Sequence, residues 1–136
     1  MHFLKSILPD LSKLFLRIAA GLMLLHGSQK IMNYSEWAPQ FGDPIGLGPE
    51  LSLSLCIFAE FFCTIFLMLG LFTRTAVIPL IFNMCVIVFL VHAQDPLKDK
   101  ELAVIFLLLY LAIYTSGPGK FSLDRFRRNG LDKLIG

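Results

Sequence analysis

The stretch LSLSLCIFAEFFCTIFLMLGLF, Leu51–Phe72, decides how the rest of the chain is read. It matches the ~20 apolar residues needed to cross the ~30 Å hydrocarbon core of a bilayer. Glu60 is its only charged residue. An ionisable side chain in hydrocarbon costs roughly 2.5–3.5 kcal/mol or more on insertion scales, so Glu60 requires a partner within the fold.

The whole chain shares this character. Its 136 residues are 56% hydrophobic and 16% charged, with 13 phenylalanines and a mean hydropathy of +0.71. That excludes an ordinary soluble domain, and the length allows one domain over residues 1–136. Three further segments are apolar enough to span: about 10–32, 76–92 and 97–116, the last capped by Asp95 with Pro96 in its first turn. No alternating barrel pattern occurs, and backbone in hydrocarbon must satisfy its own hydrogen bonds, so the spans are expected to be helices. The expected fold is therefore all-α, an integral membrane four-helix bundle. Phe3, Leu4, Ile7, Leu8 and Leu11 recur at helical spacing and predict a short interfacial helix that breaks at Pro9. The run Ile18–Leu25 has the length of a signal-peptide core. It merges into a longer apolar helix flanked by charges, and is read as retained. Tyr34–Glu50 reads as an outer loop anchored at the interface by Tyr34 and Trp37, and Thr73–Thr75 as a tight inner turn.

Charge placement sets the expected orientation. Lys5, Lys13, Arg17, Arg74, Lys120, Arg125, Arg127, Arg128 and Lys133 fall on one side of the spans, and Lys30, Lys98 and Lys100 on the other. Both termini are expected in the cytoplasm, with the protein crossing the cell inner membrane several times. The basic tail 117–136 interleaves cations with Phe121, Phe126, Leu131 and Leu134. It reads as a segment lying on the anionic headgroups of the lipid bilayer, or as an ordinary topology signal. Nothing points to nucleic acid.

The polar residues inside the spans are the candidates for chemistry. Cys56, Glu60, Cys63 and Leu67 form one stripe, His26, Lys30 and Asn33 another with Gln29 beside it, and Cys85 and His92 a third. Arg17 faces away from His26 and is expected to snorkel to the inner boundary. Counting 1.5 Å per residue from the expected helix ends puts His26 ~10 Å and Glu60 ~14 Å below the outer surface. Glu60, His26, Lys30, Gln29 and His92 are thus expected to converge in the outer leaflet. Such a group suits a quinone: His26, Lys30 and Gln29 are donors for its oxygens, and Glu60 with His26 is a candidate proton-exchanging catalytic pair. Lys30, Gln29 and His92 would bind the ligand. The same residues also serve as plain helix fasteners, worth ~0.6 kcal/mol each. No metal or haem is expected, because no Cys-x-x-Cys or close histidine pair is present and His26 lies deeper than His92. The three cysteines read as small packing residues.

Ordered motifs carry a family resemblance. Arg17-Ile-Ala-Ala-Gly21, Leu25-His-Gly-Ser-Gln-Lys30, Gly46-Leu-Gly-Pro49, Glu60, Leu69-Gly-Leu-Phe-Thr-Arg74 and Gly117-Pro-Gly-Lys-Phe-Ser-Leu-Asp124 together resemble the DoxX family. The resemblance implies a four-helix inner-membrane protein. Some relatives are subunits of thiosulfate:quinone oxidoreductases. On that basis the chain is expected to be a small membrane subunit in quinone-dependent redox chemistry, with quinone as its ligand. Electrons would come from a membrane or peripheral redox partner protein, and homo-oligomers are open to it. The alternative is a non-enzymatic scaffold or assembly factor for a redox complex, and a small-solute carrier fits a chain this short less well.

Overall fold

A computed structural model describes residues 1–128. Helices carry the described residues, and no strand occurs among them. In chain order these are α1 (His2–Ala20), α2 (Met23–Met32), α3 (Tyr34–Trp37), α4 (Pro49–Ile57), α5 (Thr64–Leu69), α6 (Thr73–Val86) and α7 (Glu101–Ser116). A π-turn, Phe58–Cys63, joins α4 to α5, and a second, Ile87–Val91, extends α6. Two continuous helices, Pro49–Leu69 and Thr73–Val91, are long and apolar enough to cross a membrane, with window hydropathies of 2.1 and 2.2. A short helical segment follows over 123–128. The tail beyond Arg128, including Lys133 and its neighbouring leucines, lies outside the described residues.

One apolar core draws on nearly every helix. Ala20, Met23, Cys63, Leu67, Val77, Leu80, Met84, Phe106, Tyr110 and Ile113 are buried together. The outer faces stay apolar: Phe15, Leu25, Phe62, Phe82, Phe89 and Leu108 are exposed. A soluble monomer seldom presents so much contiguous apolar surface, and lipid is the solvent that suits it.

Several local expectations change. The helix starting at His2 runs through Pro9 instead of breaking. Proline deletes only the bond to the Lys5 carbonyl, and Lys5 is exposed, so that oxygen meets water or headgroups. The expected first span divides at Gly21–Leu22. There the amides of Gly21, Leu22, Leu24 and Leu25 bond three residues back, a tighter turn than the α-helix. Met68 seats against Gly21, where a Cβ would lie 2.7 Å from its sulfur. The tight turn between α5 and α6 is Gly70–Phe72 rather than Thr73–Thr75; Gly70 (φ 69°) and Phe72 (φ 49°) adopt left-handed backbone there, and Thr73 opens α6. Asp95 caps no helix. It binds His92, and α7 begins at Glu101 after a 3₁₀ turn over Leu97–Lys100. Trp37 and Tyr34, the expected interface anchors, also make contacts within the fold. Trp37 packs with Ala38, Leu53 and Ile57, and the Tyr34 hydroxyl lies 2.9 Å from that of Ser54, so the loop folds down over α4.

The largest departure is Arg17. It is 1% exposed and does not snorkel. Its guanidinium donates to the carbonyls of Met68 (2.8 Å) and Phe121. The last carbonyls of a helix have no intrahelical partner, and Met68 stands at the end of α5, so a fixed fork of donors finds acceptors there. Around it a polar lock ties the helix ends. Asp124 accepts from the amides of Phe72 (2.7 Å) and Thr73 (2.9 Å) and from the Thr73 hydroxyl (2.8 Å), capping α6 from 51 residues away. The Lys120 amide donates to Asp10 (3.0 Å), and Arg74 Nε donates to the Tyr114 carbonyl at the end of α7 (3.0 Å). Gly70 is required at the centre, since a Cβ there would fall 2.4 Å from Ser122 Cβ.

Partial burial opposes ionisation of Asp124, yet the Thr73 and Phe72 donors and the Arg127 charge hold its carboxyl below the usual range. A carboxyl with a depressed folded-state pKa contributes stability above its unfolded value of ~3.9, and that stability is lost as pH falls through the folded value. Asp124→Asn is expected to lower stability by about 1–2 kcal/mol at neutral pH, measured by denaturant unfolding in detergent. The difference should shrink below about pH 4. Equal stability of the two proteins at neutral pH would remove Asp124 from this role.

Candidate functional site

The site is built by a close helix crossing. Gly27 of α2 lies against the π-turn of the Leu51–Phe72 stretch, and a Cβ on it would stand 2.9 Å from the Glu60 carbonyl carbon and the Phe61 nitrogen. Only glycine permits this approach. One turn on, Lys30 reaches Glu60, with Nζ 2.6 Å from Oε2. The Glu60 side chain is 4% exposed and that of Lys30 17%.

A third polar group comes from α6. Asn83, also buried, places its amide nitrogen 3.4 Å from Glu60 Oε1, and its oxygen accepts from the Cys56 thiol at 3.4 Å. The π-turn over Phe58–Cys63 carries one extra residue in its turn and aims Glu60 at both Lys30 and Asn83; such turns recur at functional positions.

These groups form one wall of a cavity of about 490 Å³. The other walls are mainly apolar: Phe41, Ile45 and Leu47 from the loop, Leu55, Phe58 and Ala59 from the second span, and Pro79, Phe82, Val86 and Ile87 from the third. Leu55, Phe58 and Phe82 are also 45–59% exposed on the outer helix surface, so the cavity opens sideways between α4 and α6. The volume lies in the range of small-molecule sites, and a few convergent polar groups in an apolar pocket are their usual chemistry.

The structure brings some expected residues together and not others. Glu60, Lys30 and His92 line the cavity. His92 stands with Nδ1 2.7 Å from Asp95. His26 is not joined to Glu60 by any hydrogen bond among the described residues. Its ring instead packs edge-on against Phe106 with centroids 6.4 Å apart, because Gly27 rather than His26 faces the π-turn. Gln29 is exposed and outside the cavity. Cys85 and His92 do not share a stripe, since the second π-turn, Ile87–Val91, shifts the helix register between them. Cys63 packs in the core. Among the described residues no cluster of three His, Cys, Asp or Glu side chains forms a metal site. Asn83 was missed by reading for ionisable groups alone. It lies nine residues before His92, as Glu60 lies nine after Leu51, so counting ~14 Å of helical rise from the expected helix ends places the two side by side.

The DoxX family profile matches residues 12–93. The chain belongs to the DoxX family. No curated protein and no solved structure matches it. The DoxX match takes in Gly27, Lys30, Glu60, Asn83 and His92, and stops before Gly117–Asp124, although the latter segment closes the polar lock. Family membership and the two long apolar helices make this a DoxX family membrane protein.

Lys30→Met leaves the Glu60 carboxylate without its cation and is expected to destabilise the protein by ~3–5 kcal/mol, whereas Lys30→Met with Glu60→Leu should recover most of the loss. Thermal unfolding of both variants in one detergent checks this. A double variant no more stable than Lys30→Met would mean the two side chains are not coupled.

Proposed function

We propose that the cavity binds the head of a lipid-soluble quinone, and that the protein serves as a small inner-membrane subunit in quinone-dependent redox chemistry. In this reading four spans form a bundle: α1 with α2, Pro49–Leu69, Thr73–Val91, and the Leu97–Lys100 turn with α7. Both termini face the cytoplasm. Support for that orientation comes from the gathering of Lys13, Arg74, Lys120, Arg125, Arg127 and Arg128 at one end of the molecule, because cytoplasmic faces carry the excess of Lys and Arg.

One observation carries the proposal. The buried Lys30–Glu60–Asn83 group faces a cavity rather than packed side chains. A helix fastener needs no empty space beside it, and core interiors are close-packed. The sideways opening suits a ligand that arrives through hydrocarbon. A quinone oxygen accepts a hydrogen bond from Lys30 Nζ or Asn83 Nδ2, and the aromatic walls cover the ring. Reduction of a quinone takes up two electrons and two protons. The electrons come from a membrane or peripheral redox partner protein, and Glu60 is positioned to pass a proton at its carboxyl oxygen. His26 makes no hydrogen bond to this group among the described residues and packs on Phe106, so Glu60 carries the proton role here, and His92, which lines the cavity, is a ligand-facing candidate.

The test is the quinone content of protein purified gently from membranes, with Asn83→Ala and Glu60→Gln beside the parent. The parent should carry quinone at near stoichiometric level. Asn83→Ala, which loses a polar anchor, should retain about a tenth or less, as for a buried hydrogen bond to a polar ligand. Glu60→Gln should stay folded but lose quinone turnover in membranes. A quinone-free parent, or full turnover with Glu60→Gln, would favour a non-enzymatic scaffold or assembly factor in which the pair only fixes helix register.

A further inference from the structure

The opposite end of the molecule holds a second, chemically different cleft, of about 920 Å³. Its cations are Lys13, Arg74, Lys120, Arg125, Arg127 and Arg128. Among the described residues its carboxylates are Asp10 and Asp124, and both are committed within the fold. Asp10 accepts from the Lys120 amide and stands 3.9 Å from its ammonium; Asp124 caps α6 and stands 3.6 Å from Arg127 Nε. Among the described residues, six cations against two carboxylates leave an excess of four positive charges.

Three of the cations have structural duties. Arg74 binds the Tyr114 carbonyl, Lys120 faces Asp10, and Arg127 lies over the Phe72 ring, 4.6 Å from its centroid. Lys13, Arg125 and Arg128 make no hydrogen bond or ion pair among the described residues, yet line the same cleft. They come from α1 and from the 123–128 segment, so the fold itself gathers them. Like charges held together in this way repel unless an anion joins them.

We propose that this cleft binds the phosphate headgroup of an anionic phospholipid. The inference does not depend on the quinone reading. A lipid is favoured over a soluble phosphate by the surroundings. Phe121, beside Lys120, and Phe126, between Arg125 and Arg127, are 43% and 72% exposed and give acyl chains an apolar surface. Basic pockets at the cytoplasmic ends of membrane helices recognise lipid headgroups by the same combination of charge and apolar flank. The ligand then closes the polar lock, drawing α1, the Gly70–Phe72 turn and the 123–128 segment onto one anion.

The experiment uses the full-length protein in nonionic detergent, titrated with dioleoylphosphatidylglycerol, with dioleoylphosphatidylcholine, and with inorganic phosphate. Bound lipid is counted by native mass spectrometry, and thermal stability is followed in parallel. Phosphatidylglycerol is expected to bind saturably and raise the melting temperature, while phosphatidylcholine does neither. Lys13→Gln/Arg125→Gln/Arg128→Gln should bind it roughly a hundredfold more weakly. Lys13→Arg/Arg125→Lys/Arg128→Lys, with the charges kept, should bind as the parent does. All three substituted positions are at least partly exposed, so the helical fold should persist. Unchanged binding by the neutralised variant, or equal binding of phosphatidylcholine, would overturn the proposal. Full stabilisation by phosphate alone would overturn the assignment to lipid.

Discussion

The contact between Lys30 and Glu60 constrains this fold more than any other. A carboxylate in an apolar span must meet a cation or lose its charge. Meeting Lys30 requires α2 to lie almost backbone to backbone against the Leu51–Phe72 stretch. Gly27 permits that distance, and the π-turn over Phe58–Cys63 turns Glu60 toward it. Asn83 then fastens α6 to the same carboxylate. Three segments far apart in sequence are thus registered by one buried ion, and the cavity is the space their crossing leaves.

The two ends of the molecule solve different problems. At the cavity end, polar groups are few, and Phe41, Ile45 and Leu47 of the loop 38–47 supply one of its walls. At the other end, Arg17, Asp10, Arg74 and Asp124 satisfy helix-end carbonyls and amides that would otherwise be stranded. Polar ties of this kind fix the register of the helices they join. A bundle held only by apolar contact in lipid has little to stop it closing over a void, because lipid tails are as apolar as its own side chains.

Much of this was readable from the chain alone. Hydropathy and the isolation of Glu60 pointed to membrane helices and to a partner such as Lys30, and the ordered motifs pointed to the DoxX family. Glu60, Lys30 and His92 do meet one cavity. The rest was hidden for physical reasons. The two π-turns alter the register that stripe counting assumes, which separated Cys85 from His92. Helical spacing put His26 and Lys30 on one face, but Gly27 between them takes the contact and leaves His26 on Phe106. Arg17 looked like a snorkelling boundary residue because its acceptors, the Met68 and Phe121 carbonyls, are backbone atoms 51 and 104 residues away. Asn83 carries no charge, so a search for ionisable groups passed over it.

The void beside Lys30, Glu60 and Asn83 is proposed to bind a quinone. Photolabelling tests it most directly. A photoreactive quinone is added to the purified protein in lipid nanodiscs, irradiated, and the labelled peptides are mapped with and without excess native quinone. Label is expected on residues 55–60 and 82–87, removed by the competitor. Label spread over the exposed lipid-facing side chains of α1, such as Phe15 and Ile18, and unaffected by competitor, would contradict it.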